Sequence, residues 1–78
     1  MNKVNYKGYV IRPTPKSLVN GGWNGDMNVV LDKGHEIAEK FFFAETIFAT
    51  PQEAIAHCIE FGKRVIDGEV PNCTVEDL

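Results

Sequence analysis

Residues 50–68 carry the one long helical signal in the chain, and that signal limits what can be built around it. Thr50 can cap the N-terminus, Pro51 suits the first helical position, and Glu53 falls three residues after the cap. Ala54, Ile55, Cys58, Ile59, Phe61, Gly62, Val65 and Ile66 then lie on one continuous arc at about 100° per residue, while Gln52, Glu53, Ala56, His57, Glu60, Lys63 and Arg64 fill the opposite arc. Gly68 supplies a stop after Asp67, and Lys63 and Arg64 complement the negative helix end. A helix patterned this way has to lay its apolar arc on a sheet, and the rest of the chain must supply that sheet.

The remaining sequence alternates with a period of two. Residues 4–12 read as one strand, with Val4, Tyr6 and Val10 on one parity and Lys7, Tyr9 and Ile11 on the other; Pro13 and Pro15 end it. Asn20-Gly21-Gly22 supplies turn chemistry. Trp23, Met27, Val29 and Leu31 share a parity with Gly25, against Asn24, Asp26, Asn28, Val30 and Asp32, which is the pattern of a half-buried strand. Asp32-Lys33-Gly34 makes a short turn, and a third strand runs to Phe43 or Ala44 with Ile37, Phe41 and Phe43 inward and Glu36, Lys40 and Phe42 outward. Connections this short favour antiparallel hairpins. Residues 44–49 either extend that strand or form a connection, and residues 69–78 cross the surface or end in one helical turn.

The pattern therefore predicts an α+β fold over a single domain, residues 1–78: a three-stranded antiparallel meander with one amphipathic helix packed on one face (β-β-β-α) and a short C-terminal tail. The expected core is Val4, Tyr6, Val10, Trp23, Met27, Val29, Leu31, Ile37, Phe41, Phe43, Ile55, Cys58, Phe61, Gly62, Val65 and Ile66.

Charge and composition narrow the function classes. The net charge is −3, which argues against a general nucleic-acid binder. Lys3, Lys7, Arg12 and Lys16 stand in the first 25 residues without an acid, whereas the acidic residues all follow. Oligomers can pair such opposite surfaces. No apolar run approaches the roughly 18 residues of a membrane span, and residues 1–7 lack the apolar stretch of a signal peptide. With no export signal, Cys58 and Cys73 are expected as free thiols in the cytoplasm.

The run Tyr6-Lys7-Gly8-Tyr9-Val10-Ile11-Arg12-Pro13, then Gly21-Gly22-Trp23, then Phe48-Ala49-Thr50-Pro51-Gln52-Glu53-Ala54, then Gly62 and Ile66-Asp67-Gly68 resembles small bacterial proteins of roughly this length. The resemblance covers most of the chain and implies a compact α+β cytosolic domain. It brings no reaction and no functional residue with it.

The residue types that carry chemistry are not spaced for it. His35, His57, Cys58 and Cys73 include the ligands of a zinc site but form neither a paired-cysteine knuckle nor a paired-histidine motif. Cys58 belongs to the apolar arc, and Cys73 has no neighbouring cation in sequence to lower its pKa. Glu36, Glu39, Glu45, Glu53 and Glu60 form no carboxylate pair in an apolar setting. The glycine-rich stretch before Asp26 precedes a strand, so it presents no helix N-terminus to a phosphate. The sequence thus predicts no catalytic residue, no metal and no cofactor.

One surface stands out instead. On these parities Lys7, Tyr9, Ile11, Val30, Lys40 and Phe42, with Asn28, point away from the helix. Aromatic anchors on an uncovered sheet face suit a protein partner or a homodimer. The alternative is single-stranded nucleic acid stacked on Tyr9 and Phe42, with Lys7, Arg12 and Lys40 near its backbone; Asp26 on the same face and the acidic balance count against it. In a third possibility the tail, with Val75 and Leu78, folds back over this face. A register slip of one residue would exchange the two faces.

Overall fold

A computed structural model of the chain describes residues 3–44 and 46–78; Met1, Asn2 and Glu45 lie outside the described residues. The element order is β1 (Val4–Tyr6), β2 (Tyr9–Pro13), β3 (Met27–Asp32), β4 (Ile37–Phe42) and α1 (Pro51–Ile66). All neighbouring strands pair antiparallel, in the spatial order β1-β2-β3-β4. The α+β class and the helix are as expected, but the sheet has four strands rather than three.

The extra strand comes from a turn inside what reads as a continuous run. Lys7 (φ 50°) and Gly8 (φ 87°) both adopt positive φ, the backbone that two-residue hairpins favour because it matches strand twist. Tyr6 pairs directly with Tyr9 across this turn, and Val4 with Ile11. Directly paired residues share a face, so the parity jumps at the turn. Tyr9 and Ile11 join Val4 and Tyr6 on the side that meets α1, and Val10 leaves the expected core for the other face. Lysine is an unusual occupant of such a position. Its ammonium is tied to Asp67 at 2.5 Å, which holds the turn against the helix C-terminus.

β3 keeps its expected alternation but starts at Met27, not at Trp23. Residues 14–26 form an irregular extension of the β2–β3 hairpin. Thr14 N–H donates to Asp26 O at 2.8 Å, Asn24 N–H to Lys16 O at 3.1 Å and Leu18 N–H to Gly22 O at 2.7 Å. At its far end Trp23 and Phe48 exchange both backbone hydrogen bonds, each 2.9 Å. Of the stretch 44–49, Glu45 lies outside the described residues, and residues 46–49 form a connection that touches the hairpin extension through Phe48 before α1 begins.

β4 has the opposite facing from that expected. Met27 pairs with Phe42, Val29 with Lys40 and Leu31 with Ala38, so Ala38, Lys40 and Phe42 lie on the helix face. Phe42 is only 7% exposed and meets Phe61 edge to face at 6.4 Å. Ile37, Phe41 and Phe43, expected inside, are 67%, 55% and 71% exposed. The C-terminal tail explains how a lysine can occupy the covered face. Lys40 Nζ donates to Thr74 O at 2.9 Å and to Asp77 Oδ1 at 3.0 Å, so its charge is partnered at the rim of the core.

α1 starts and stops as its sequence signals. The Thr50 hydroxyl accepts from Glu53 N–H at 3.2 Å. At the other end Gly68 (φ 76°) donates to Val65 O at 3.1 Å and Glu69 to Arg64 O at 2.9 Å, the paired bonds of a Schellman stop. Gly62 sets the approach to the sheet: a Cβ there would lie 2.8 Å from Ile11 Cγ2. The core is Ile11, Met27, Val29, Phe42, Cys58, Val65 and Val75, bordered by Tyr6, Tyr9, Phe61, Ile66, Val70, Cys73 and Leu78. Val75, Val70 and Leu78 come from the tail, so helix and tail cover the same side of the sheet.

Candidate interaction surface

The ladder pairs define the face away from α1. It carries Asn5 on β1, Val10 and Arg12 on β2, Asn28, Val30 and Asp32 on β3, and Ile37, Glu39 and Phe41 on β4. Arg12, Asn28 and Phe41 form one cross-strand row; Val10, Val30 and Glu39 form the next. Val10 and Val30 are half-buried beside exposed Ile37 and Phe41. The face is polarised, with the cation Arg12 on the β2 side and the carboxylate of Glu39 on the β4 side.

Asn28 sits at the centre and is only 5% exposed. Its Nδ2 donates to Glu39 Oε2 at 3.0 Å, while its Oδ1 is buried with no hydrogen-bond partner. A buried carbonyl left unpaired costs about 1–3 kcal/mol. Such a group therefore marks a position where an incoming donor would be favoured.

Of the residues expected on this surface, only Val30, with Asn28, stands there. Ile11 is fully buried and Phe42 nearly so, both under α1 and the tail. Tyr9 borders the core, and Lys40 is engaged by the tail. Lys7 lies in the β1–β2 turn, bound to Asp67. The tail does fold back, but over the face that bears Lys40 and Phe42, which is the helix face. Stacking of bases on Tyr9 and Phe42 loses its geometry for the same reason. Val10, Arg12, Ile37, Glu39 and Phe41 are the surface residues that parity alone missed. Reading Lys7-Gly8 as a two-residue turn would have found Val10 and Arg12.

The other polar clusters have structural explanations. Tyr6 Oη donates to Asp67 Oδ2 at 2.8 Å beside the Lys7 contact. The hydrogen bonds from Lys7 and Tyr6 hold the Asp67 carboxyl below its ordinary range, and the same contact raises the Lys7 ammonium and the Tyr6 phenol. This cluster fastens the first hairpin to the end of α1. The Cys58 thiol donates to Gly25 O at 3.3 Å, and burial, with a smaller effect of the Asp26 charge, pushes its pKa up to about 11. It is a packed thiol rather than an activated nucleophile. His57 stacks on Phe61, with ring centres 6.0 Å apart. Among the described residues no group of three or more His, Cys, Asp or Glu side chains could hold a metal ion, and no helix is long and apolar enough to cross a membrane.

Compared with known proteins, the chain matches no family model, no curated protein and no solved structure. The face itself is therefore the basis for any functional reading.

Proposed function

We propose that this chain is a non-catalytic interaction module that binds a protein through the sheet face opposite α1. The observation that carries the reading is the exposure of Phe41 and Ile37 next to Val10 and Val30, on the side that neither helix nor tail covers. Aromatic and aliphatic side chains grouped on one exposed face are how interfaces obtain most of their binding energy. The alternative route, strand addition at the free edge of β4, is disfavoured. Lys40 points inward from that strand, a device that blunts edge pairing, and its charge is committed to Thr74 and Asp77.

Site-specific photo-cross-linking in the source cells tests the reading. A benzophenone amino acid replaces Phe41 in one variant and Glu60, on the outer arc of α1, in another. A discrete adduct from position 41 and none from position 60 is expected. No adduct from position 41, or the same adducts from both positions, overturns the proposal.

A further inference from the structure

We infer that the occupant of this face is a second copy of the chain, packed sheet to sheet about a twofold axis that runs along β3. The inference rests on the interaction reading above and names its partner. Three observations point to it. The first is the polarity of the face. A twofold axis along β3 lays β2 of each copy over β4 of the other, which brings Arg12 of one copy over Phe41 of its mate and one ladder row from its Glu39, twice. The surface is thus its own electrostatic complement. Arg12 gains a carboxylate and an aromatic face, a pairing that guanidinium groups suit well.

The second is Asn28. It lies on β3, on the axis, so it meets its own counterpart. Its Oδ1 has no partner, and only one of its two Nδ2 hydrogens is used, by Glu39. Packed sheets lie about 10 Å apart, a gap that two opposed asparagine side chains span. The oxygen is covered by its own chain in the monomer, so the side chains around it must part for the two amides to meet. Each amide then donates its spare N–H to the other's carbonyl, and one pair of reciprocal hydrogen bonds satisfies both oxygens. The third is the row beside it. Val30 meets Val30, and Val10 lies against the aliphatic stem of Glu39 of the mate. The one unfavourable juxtaposition is Asp32 with Asp32, at the exposed rim.

The patch is small. Three strands of five or six residues outline roughly 300 Å², below the roughly 800 Å² per partner of a standard interface. Association is therefore reversible: a dimer at about 500 µM that dissociates near 5 µM.

Sedimentation equilibrium on the full chain, followed by charge exchange, provides the test. Arg12→Glu and Glu39→Arg each place like charges together and weaken self-association at least about tenfold. Mixing the two variants restores opposite charges at both contacts, giving a heterodimer within about threefold of the native affinity. Restoration requires both chains to be folded, so it separates a lost contact from a lost fold. Asp32→Asn removes the rim repulsion and tightens the dimer. A native chain that stays monomeric at about 500 µM, or a dimer indifferent to both exchanges, overturns the inference. The broader reading fails separately: an adduct from position 41 with the mass of another protein leaves the module standing without its dimer, and no adduct removes both.

Discussion

Phe41 and Phe42 are neighbours in sequence with opposite environments. Phe42 packs under α1 and the tail, while Phe41 faces outward beside Asn28. The same contrast holds across the whole sheet, since Ile11 and Val29 are sealed whereas Val10 and Val30 on the reverse are only half-buried. The two faces differ less in composition than in what lies over them. One 16-residue helix and a ten-residue tail are spent on a single side. Among the described residues nothing lies over the other side, and under the proposed function a partner completes it.

The largest effect should come from truncating the two phenylalanines. Phe42→Ala is expected to cost about 3–5 kcal/mol, and Phe41→Ala to stay within about 0.5 kcal/mol for the monomer. Urea unfolding at a low micromolar concentration measures both, and similar costs would erase the distinction between the faces. Next, Val75→Ala should cost about 1.5–3 kcal/mol by the same measurement, because the tail side chain is part of the core. A negligible cost would remove the tail from the cover. Gly62→Ala follows, at about 1–2 kcal/mol net. The added methyl would stand 2.8 Å from Ile11 Cγ2, and the better helix propensity of alanine offsets only part of that clash. A stabilised variant would mean that helix and sheet have room to separate.

The smallest effect concerns the clasp between the first hairpin and the helix end. The Asp67 carboxyl is depressed in the folded chain, so its contribution is present above the unfolded pKa and is lost as pH falls through the folded one. Asp67→Asn should therefore lower thermal stability above about pH 5, with the gap to the native chain closing as pH falls through the depressed folded-state pKa. A gap independent of pH would show that the clasp does not depend on charge.

How much of this was legible in the sequence follows from how local each cause is. α1 was readable because Thr50, Pro51 and Gly68 act within a few residues of where they stand. β3 was readable because residues 27–32 alternate and a wet or dry parity is intrinsic to them. The first hairpin was hidden because Lys7 is not an obvious turn residue and apolar residues alternate on both sides of it; one missed turn then sent Tyr9 and Ile11 to the wrong face. β4 misled for a nonlocal reason. Ile37, Phe41 and Phe43 are the greasier parity, and only the tail, some 34 residues from Lys40 at Thr74, makes the other parity acceptable inside. The interaction surface inherited both errors, so that of the expected set only Val30 lies on the face away from α1, while Lys7, Tyr9, Ile11, Lys40 and Phe42 lie elsewhere. What survived was the topological count of covers against faces.

The backbone exchange between Trp23 and Phe48 has a practical consequence. The only indole in the chain sits at the tip of the hairpin extension, beyond the end of β3. Its emission reports on whether that tip is closed, whereas far-ultraviolet dichroism reports on helix and sheet. Heating the protein while following both signals would reveal whether the tip opens before the body melts, with no label added.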